Sequence, residues 1–222
     1  MTPSRACFTA GMAAVAVWAA GCGNGDGTTT TSAGSGGGAG SSASSASSTG
    51  TGGTGGADGG KPLDSRRVFV TSKTYQGAFG GLAGGDAECK KLADLAGLGG
   101  TWLAWLSDGA GITPPDRLTH STVPYVLVGG GQIAANWDDL LDGSIAVPID
   151  HDETGAAIPA NGVTKVWTGT SAAGMQVGPS CMAWSPLGGG GVYGLTTATD
   201  GGWTYSAGNS CDSMDRLYCF EE

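Results

Sequence analysis

Two short runs of the chain hold many of the residues able to do chemistry. Asp150-His151-Asp152-Glu153 places three carboxylates and an imidazole in four consecutive positions after Val147-Pro148. Oxygen donors of this kind suit calcium, so Asp150, Asp152 and Glu153 are candidate metal ligands. Adjacent residues seldom converge on one ion, and a solvated acidic loop explains the run as well. His120-Ser121, with Asp116 nearby, has the residue types of a hydrolytic triad, but sequence neighbours seldom adopt triad geometry. His120 and His151 are the only histidines, and there is no H-E-x-x-H. Outside a low-complexity segment there is no G-x-S-x-G either. Paired carboxylates for glycoside cleavage need a defined separation, and nothing singles out a pair. With no catalytic motif, the chain is read as a non-enzyme. Trp203 and Tyr205 lie in the glycine-rich stretch Thr199–Tyr205 and form a candidate stacking surface for a sugar or an anchor for a protein. Burial of Trp203 in the core is the favoured reading of the two.

The elements that must position these residues read as mixed α and β, joined by long glycine-rich loops. Arg67–Thr71 predicts a strand. Asp86 predicts the N-cap of a helix running to Ala96, with Cys89, Leu92, Ala93 and Ala96 on one inward face and Gly97 stopping it. Thr101–Ser107 and Pro124–Val128 predict strands. Asn136 predicts the cap of a short helix through Leu141, with Asp138, Asp139 and Asp142 on its polar side. Lys165–Thr170, Ser180–Trp184 and Arg216–Phe220 complete the expected strands.

The amino end reads as an address. Arg5 is followed by the uncharged, apolar Ala6–Ala20, which is too short for a good membrane span. Ala19-Ala20-Gly21-Cys22 then presents small residues before a cysteine. This is the shape of a lipoprotein signal over residues 1–21, with Cys22 as the lipidated residue. Ordinary signal cleavage is the rival reading. Residues 22–60 are almost entirely Gly, Ser, Thr and Ala and cannot bury a core. They form a flexible tether with an expected end-to-end distance of roughly 35 Å. The G-x-G-x-x-G at Gly50–Gly55 is an accident of composition, with no strand before it and no helix after it.

The composition changes at Lys61, and residues 61–222 make one domain's worth of chain. This segment carries nine Lys/Arg and seventeen Asp/Glu, a net charge of −8. Such a field disfavours nucleic acid and anionic surfaces. Cys7 leaves with the signal and Cys22 is the lipid site. Cys89, Cys181, Cys211 and Cys219 remain, an even number that implies two disulfides in an oxidising compartment. Four cysteines admit three pairings.

Four blocks resemble the endostatin domain of collagen, and more closely a related bacterial surface-lipoprotein domain of unknown function. The first is Gly84–Cys89 with Ala96–Ser107. The second is Asp116-Arg117 with Val123–Val126, Trp137 and Gly143. The third is Lys165–Thr170 with Ser180–Trp184. The fourth is Ser210-Cys211 with Leu217–Glu221. The resemblance implies an α+β, C-type-lectin-like fold with mixed sheets, two short helices and nested disulfides, Cys89–Cys219 and Cys181–Cys211. It does not carry over endostatin's ligands. The heparin-binding arginines fall at Gly80 and Ala83, and the zinc-binding aspartate at Gly130. The zinc-binding histidines have no counterpart before His120. Heparin binding is therefore not expected. The sugar-binding tripeptides of calcium-dependent lectins, Glu-Pro-Asn and Gln-Pro-Asp, are absent. No cofactor is expected, with calcium the one metal that the acidic loop leaves open.

The resulting expectation is a noncatalytic, adhesion-type binding module for an extracellular protein or glycan. Its place is the bacterial cell envelope, at the outer membrane or cell surface, and only the lipid anchor meets the membrane. An envelope hydrolase of glycans or peptides and a structural envelope lipoprotein are the alternatives.

Overall fold

The apolar run Val68-Phe69-Val70 forms the centre of the larger of two sheets. A computed structural model describes residues 64–159 and 161–222. The signal, Cys22 and the tether lie outside the described residues. Strand β1 (Arg66–Val70) pairs in parallel with β3 (Tyr125–Leu127) and antiparallel with β8 (Tyr218–Glu221). Strands β2 (Trp102–Ala104) and β4 (Gln132–Ala134) flank them, giving the order β2-β8-β1-β3-β4. The smaller antiparallel sheet has the order β5-β6-β7, from Lys165–Trp167, Gly190–Leu195 and Ala207–Ser210.

Strand alternation divides the core into two layers. Val68, Val70, Tyr218 and Phe220 pack with Trp105, Trp137 and Trp203 on one face. Phe69, Ala104 and Cys219 pack with Cys89, Leu92 and Ala93 of helix α1 (Gly81–Leu95) on the other. Helix α1 begins six residues before the expected start, after Gly80 in a left-handed conformation. Gly85 lets it approach β2 closely, since a Cβ there would meet Leu106 Cδ1 at 2.8 Å and Ala104 Cβ at 3.2 Å. Asp86 is therefore inside the helix rather than its cap. Its carboxylate accepts from Ala104 N at 2.9 Å and pairs with Arg117.

The other segments are single turns: α2 (Pro114–Arg117), α3 (Trp137–Leu140) and α4 (Cys181–Trp184). Asn136 caps α3 as expected, accepting from Asp139 N at 3.0 Å. The strand expected at Ser180–Trp184 is instead the turn α4, with φ of 47°, 51°, 60° and 59° at four consecutive non-glycine residues. Tertiary bonds hold this left-handed backbone. Trp184 Nε1 donates to Ser107 O at 2.8 Å, Gly80 N donates to Trp184 O at 3.0 Å, and Cys181 is bonded to Cys211. Strands β6 and β7 were not expected, because their glycines mask any alternation. Gly191 is glycine for packing: a Cβ there would lie 2.7 Å from Cys181 Sγ and 2.9 Å from the Trp167 ring.

Two disulfides close the molecule. Cys89–Cys219 ties α1 to β8, and Cys181–Cys211 ties α4 to the end of β7, nested within the first. This is the pairing the resemblance implies. The architecture is α+β, with two sheets, few short helices and two disulfides. Among the described residues no helix is long and apolar enough to cross a membrane.

Candidate functional site

A groove of about 300 Å³ opens between the loop after α2 and the start of α3. Its volume is at the lower limit for small-ligand sites. Thr113 and Asp116 close a reciprocal capping box that fixes α2. The bonds from Thr113 hold the Asp116 carboxyl below the usual carboxylate range. The chain then turns through Leu118 and exposes His120. Trp137 N donates to Ser121 O at 2.9 Å, which joins this loop to the first residue of α3.

The His120 ring stacks on the Trp137 indole, with centroids 4.4 Å apart and planes 9° from parallel. Trp137 is buried against Trp105 and Tyr125 and supports the imidazole from below. His120 Nε2 lies 2.9 Å from Pro115 O. That carbonyl can only accept, so Nε2 carries the hydrogen, and Nδ1 has no partner among the described residues. Asn136 spends its carbonyl oxygen on the α3 cap and keeps its amide hydrogens for other partners. The Asp138 carboxylate and Thr122 hydroxyl, also lining the groove, make no hydrogen bond among the described residues. A flat aromatic face is thus surrounded by a carboxylate, an amide donor and a hydroxyl.

His120, Ser121 and Asp116 do not form a relay. Among the described residues Ser121 Oγ bonds only to Val123, donating to its carbonyl at 2.9 Å and accepting from its amide at 3.1 Å. Asp116 is spent on Thr113.

The carboxylates of the acidic loop are already engaged within the fold. Asp150 Oδ1 faces His151 Nδ1 at 2.7 Å. Asp152 Oδ1 accepts from Thr154 N, Thr154 Oγ1 and Ala156 N at 2.6–3.1 Å, closing a tight turn. Glu153 is buried and accepts from the amide and hydroxyl of Ser72. The three carboxylates serve different partners, and no metal-ligating cluster of three is found among the described residues.

Trp203 lies in the core and not at the surface. It has no exposed area and packs against Trp105 at 5.1 Å and Tyr218 at 5.8 Å. Tyr205 is exposed, but the expected aromatic pair does not exist at the surface.

In the sequence His120, Asn136 and Trp137 stand apart, as a triad fragment, a cap and a core residue. Seventeen positions separate His120 from Trp137, so no local periodicity links them. No family model matches this chain, and no curated protein matches it with significance.

Proposed function

We propose that this protein is a noncatalytic binding module of the bacterial envelope, and that the groove at His120 takes an extracellular glycan. The observation that carries this reading is the exposed imidazole stacked on Trp137, beside the unengaged Asp138 and Thr122. Sugars present apolar C–H faces and rings of hydroxyls, and this arrangement offers a flat surface for the first and acceptors and donors for the second. A C-type-lectin-like fold is part of the same proposal. The nested disulfides and mixed sheets support it, as do the blocks of resemblance. The lipoprotein shape of Ala19–Cys22 and the low-complexity tether support anchoring through Cys22 at the outer membrane or cell surface.

The test is a combined glycan and extracellular-protein array probed with the full chain, with and without calcium. Saturable glycan binding that is weakened about tenfold by His120→Ala or Asp138→Asn supports the reading. Both positions are exposed, so these variants keep the fold. A glycan hit unaffected by either substitution places the site elsewhere. Binding to proteins alone overturns the glycan assignment.

A further inference from the structure

A second cavity, of about 430 Å³, lies beside the smaller sheet and shares no lining residue with the groove. Gly162–Lys165 form one wall, and Asn209 with Ser213–Asp215 form the other. Asp215 is only 2% exposed. Asn209 Nδ2 donates to its Oδ2 at 3.0 Å, and no cationic side chain comes within ion-pair distance among the described residues. The neighbouring Arg216 does not serve it. Its Nε donates to Val163 O at 2.7 Å and its Nη1 to Thr71 O at 2.6 Å. Lys165 lies on the neighbouring segment, where its carbonyl accepts from Arg216 N at 2.9 Å; its Nζ rests over the Tyr193 ring at 4.6 Å and likewise makes no ion pair among the described residues.

The two segments therefore present one carboxylate and one ammonium that attract each other but form no direct ion pair among the described residues. Burial raises the pKa of the Asp215 carboxyl, Lys165 attracts it only from beyond ion-pair distance, and a cation in direct contact relieves that cost. An amine alone would face Lys165, and a carboxylate alone would face Asp215. A ligand carrying both charges satisfies both walls. Val163 and Met214 add exposed apolar surface to the same cavity, 37% and 48% accessible. We infer that this cavity binds a small zwitterionic amino acid with an apolar side chain. Its ammonium meets Asp215, while its carboxylate draws Lys165 from the Tyr193 ring. This site is independent of the glycan groove.

Calorimetric titration of the full chain with L-leucine, L-methionine and glycine tests the inference. Two leucine fragments are run beside them, 3-methylbutylamine without the carboxylate and 4-methylpentanoate without the amine. Expected is saturable binding of leucine and methionine, with each fragment weaker by about tenfold or more. Asp215→Asn and Lys165→Met should each weaken leucine binding to a similar extent, with circular dichroism and the thermal transition retained. His120→Ala should leave it unchanged. No saturable binding of any amino acid overturns the inference. So does a fragment that binds as tightly as leucine, or a folded Asp215→Asn variant that binds like the parent.

Discussion

Arg117 Nη2 lies 2.6 Å from each carboxylate oxygen of Asp86, in the interior of helix α1. The same guanidinium donates through Nη1 to Ala104 O at 3.0 Å, and Asp86 accepts from Ala104 N at 2.9 Å. One ion pair thus clamps α1, β2 and α2 together. Removing one partner strands a largely enclosed charge and an unpaired strand amide. Asp86→Ala should cost about 2–3 kcal/mol, below the fully buried range because the carboxylate keeps some solvent contact. Urea unfolding measures it, and an unchanged midpoint would remove the clamp from the account of stability.

The disulfides should not be equal in effect. The bond Cys89–Cys219 spans 130 residues and Cys181–Cys211 spans 30. Loop-closure entropy gives about 5 kcal/mol for the first and about 3.5 kcal/mol for the second. Paired Cys→Ser variants should follow that order in denaturant midpoint. Nonreducing peptide mapping should recover both linkages, and any other linkage contradicts the core as described.

The left-handed turn at Cys181–Trp184 offers a stabilising substitution. Ala183 sits at φ 60° and ψ 34°, where a Cβ costs about 1–2 kcal/mol. Glycine removes that cost but adds freedom to the unfolded chain, about 0.5–1 kcal/mol. Ala183→Gly should therefore raise stability by about 0.5–1 kcal/mol. Thermal unfolding reads this directly, and a loss of stability would mean that the turn is not left-handed.

Alkaline pH should destabilise the fold through its phenols. Burial pushes the Tyr125 hydroxyl up to about 12 and raises Tyr218 well above its ordinary 10.0. Burial also raises Tyr75, helped by Glu88. Above pH 10 the unfolded chain releases phenolic protons that the native chain keeps, so stability falls as pH rises from about 10 through 12. Below pH 10 this contribution is fully present. The Tyr218 hydroxyl is buried with no partner among the described residues. Tyr218→Phe should leave stability at pH 7 unchanged or slightly higher, and should flatten the alkaline loss. Equilibrium unfolding at pH 7, 10 and 11.5 checks both, and an unchanged alkaline slope would exclude Tyr218 as a source.

Glu153 should behave as a structural group. Glu153→Gln weakens two charge-assisted bonds to Ser72 and should cost about 1–2 kcal/mol. Calcium at millimolar concentration should not shift the melting temperature through this loop. A shift abolished by Asp152→Asn would restore the metal reading.

Patterns repeating within a few residues were readable from the sequence alone. Strand β1, the inward face of α1 at Cys89, Leu92 and Ala93, and the Asn136 cap follow from period and capping chemistry, which act over one or two turns. The cysteine count required an even framework, and resemblance supplied the pairing. Other features depended on contacts that no local pattern encodes. Asp86 reads as a cap because Asp favours caps, yet Ala104 and Arg117, far along the chain, draw its carboxylate into a tertiary clamp. Ser180–Trp184 reads as a strand, yet a disulfide and two long-range hydrogen bonds hold it left-handed. Trp203 reads as either surface or core, and the aromatic packing with Trp105 and Tyr218 decides for the core. The candidate groove joins His120 to Trp137 across seventeen positions. Ring stacking of that kind is a property of folded loops, because only the packed core beneath Trp137 holds the two faces parallel.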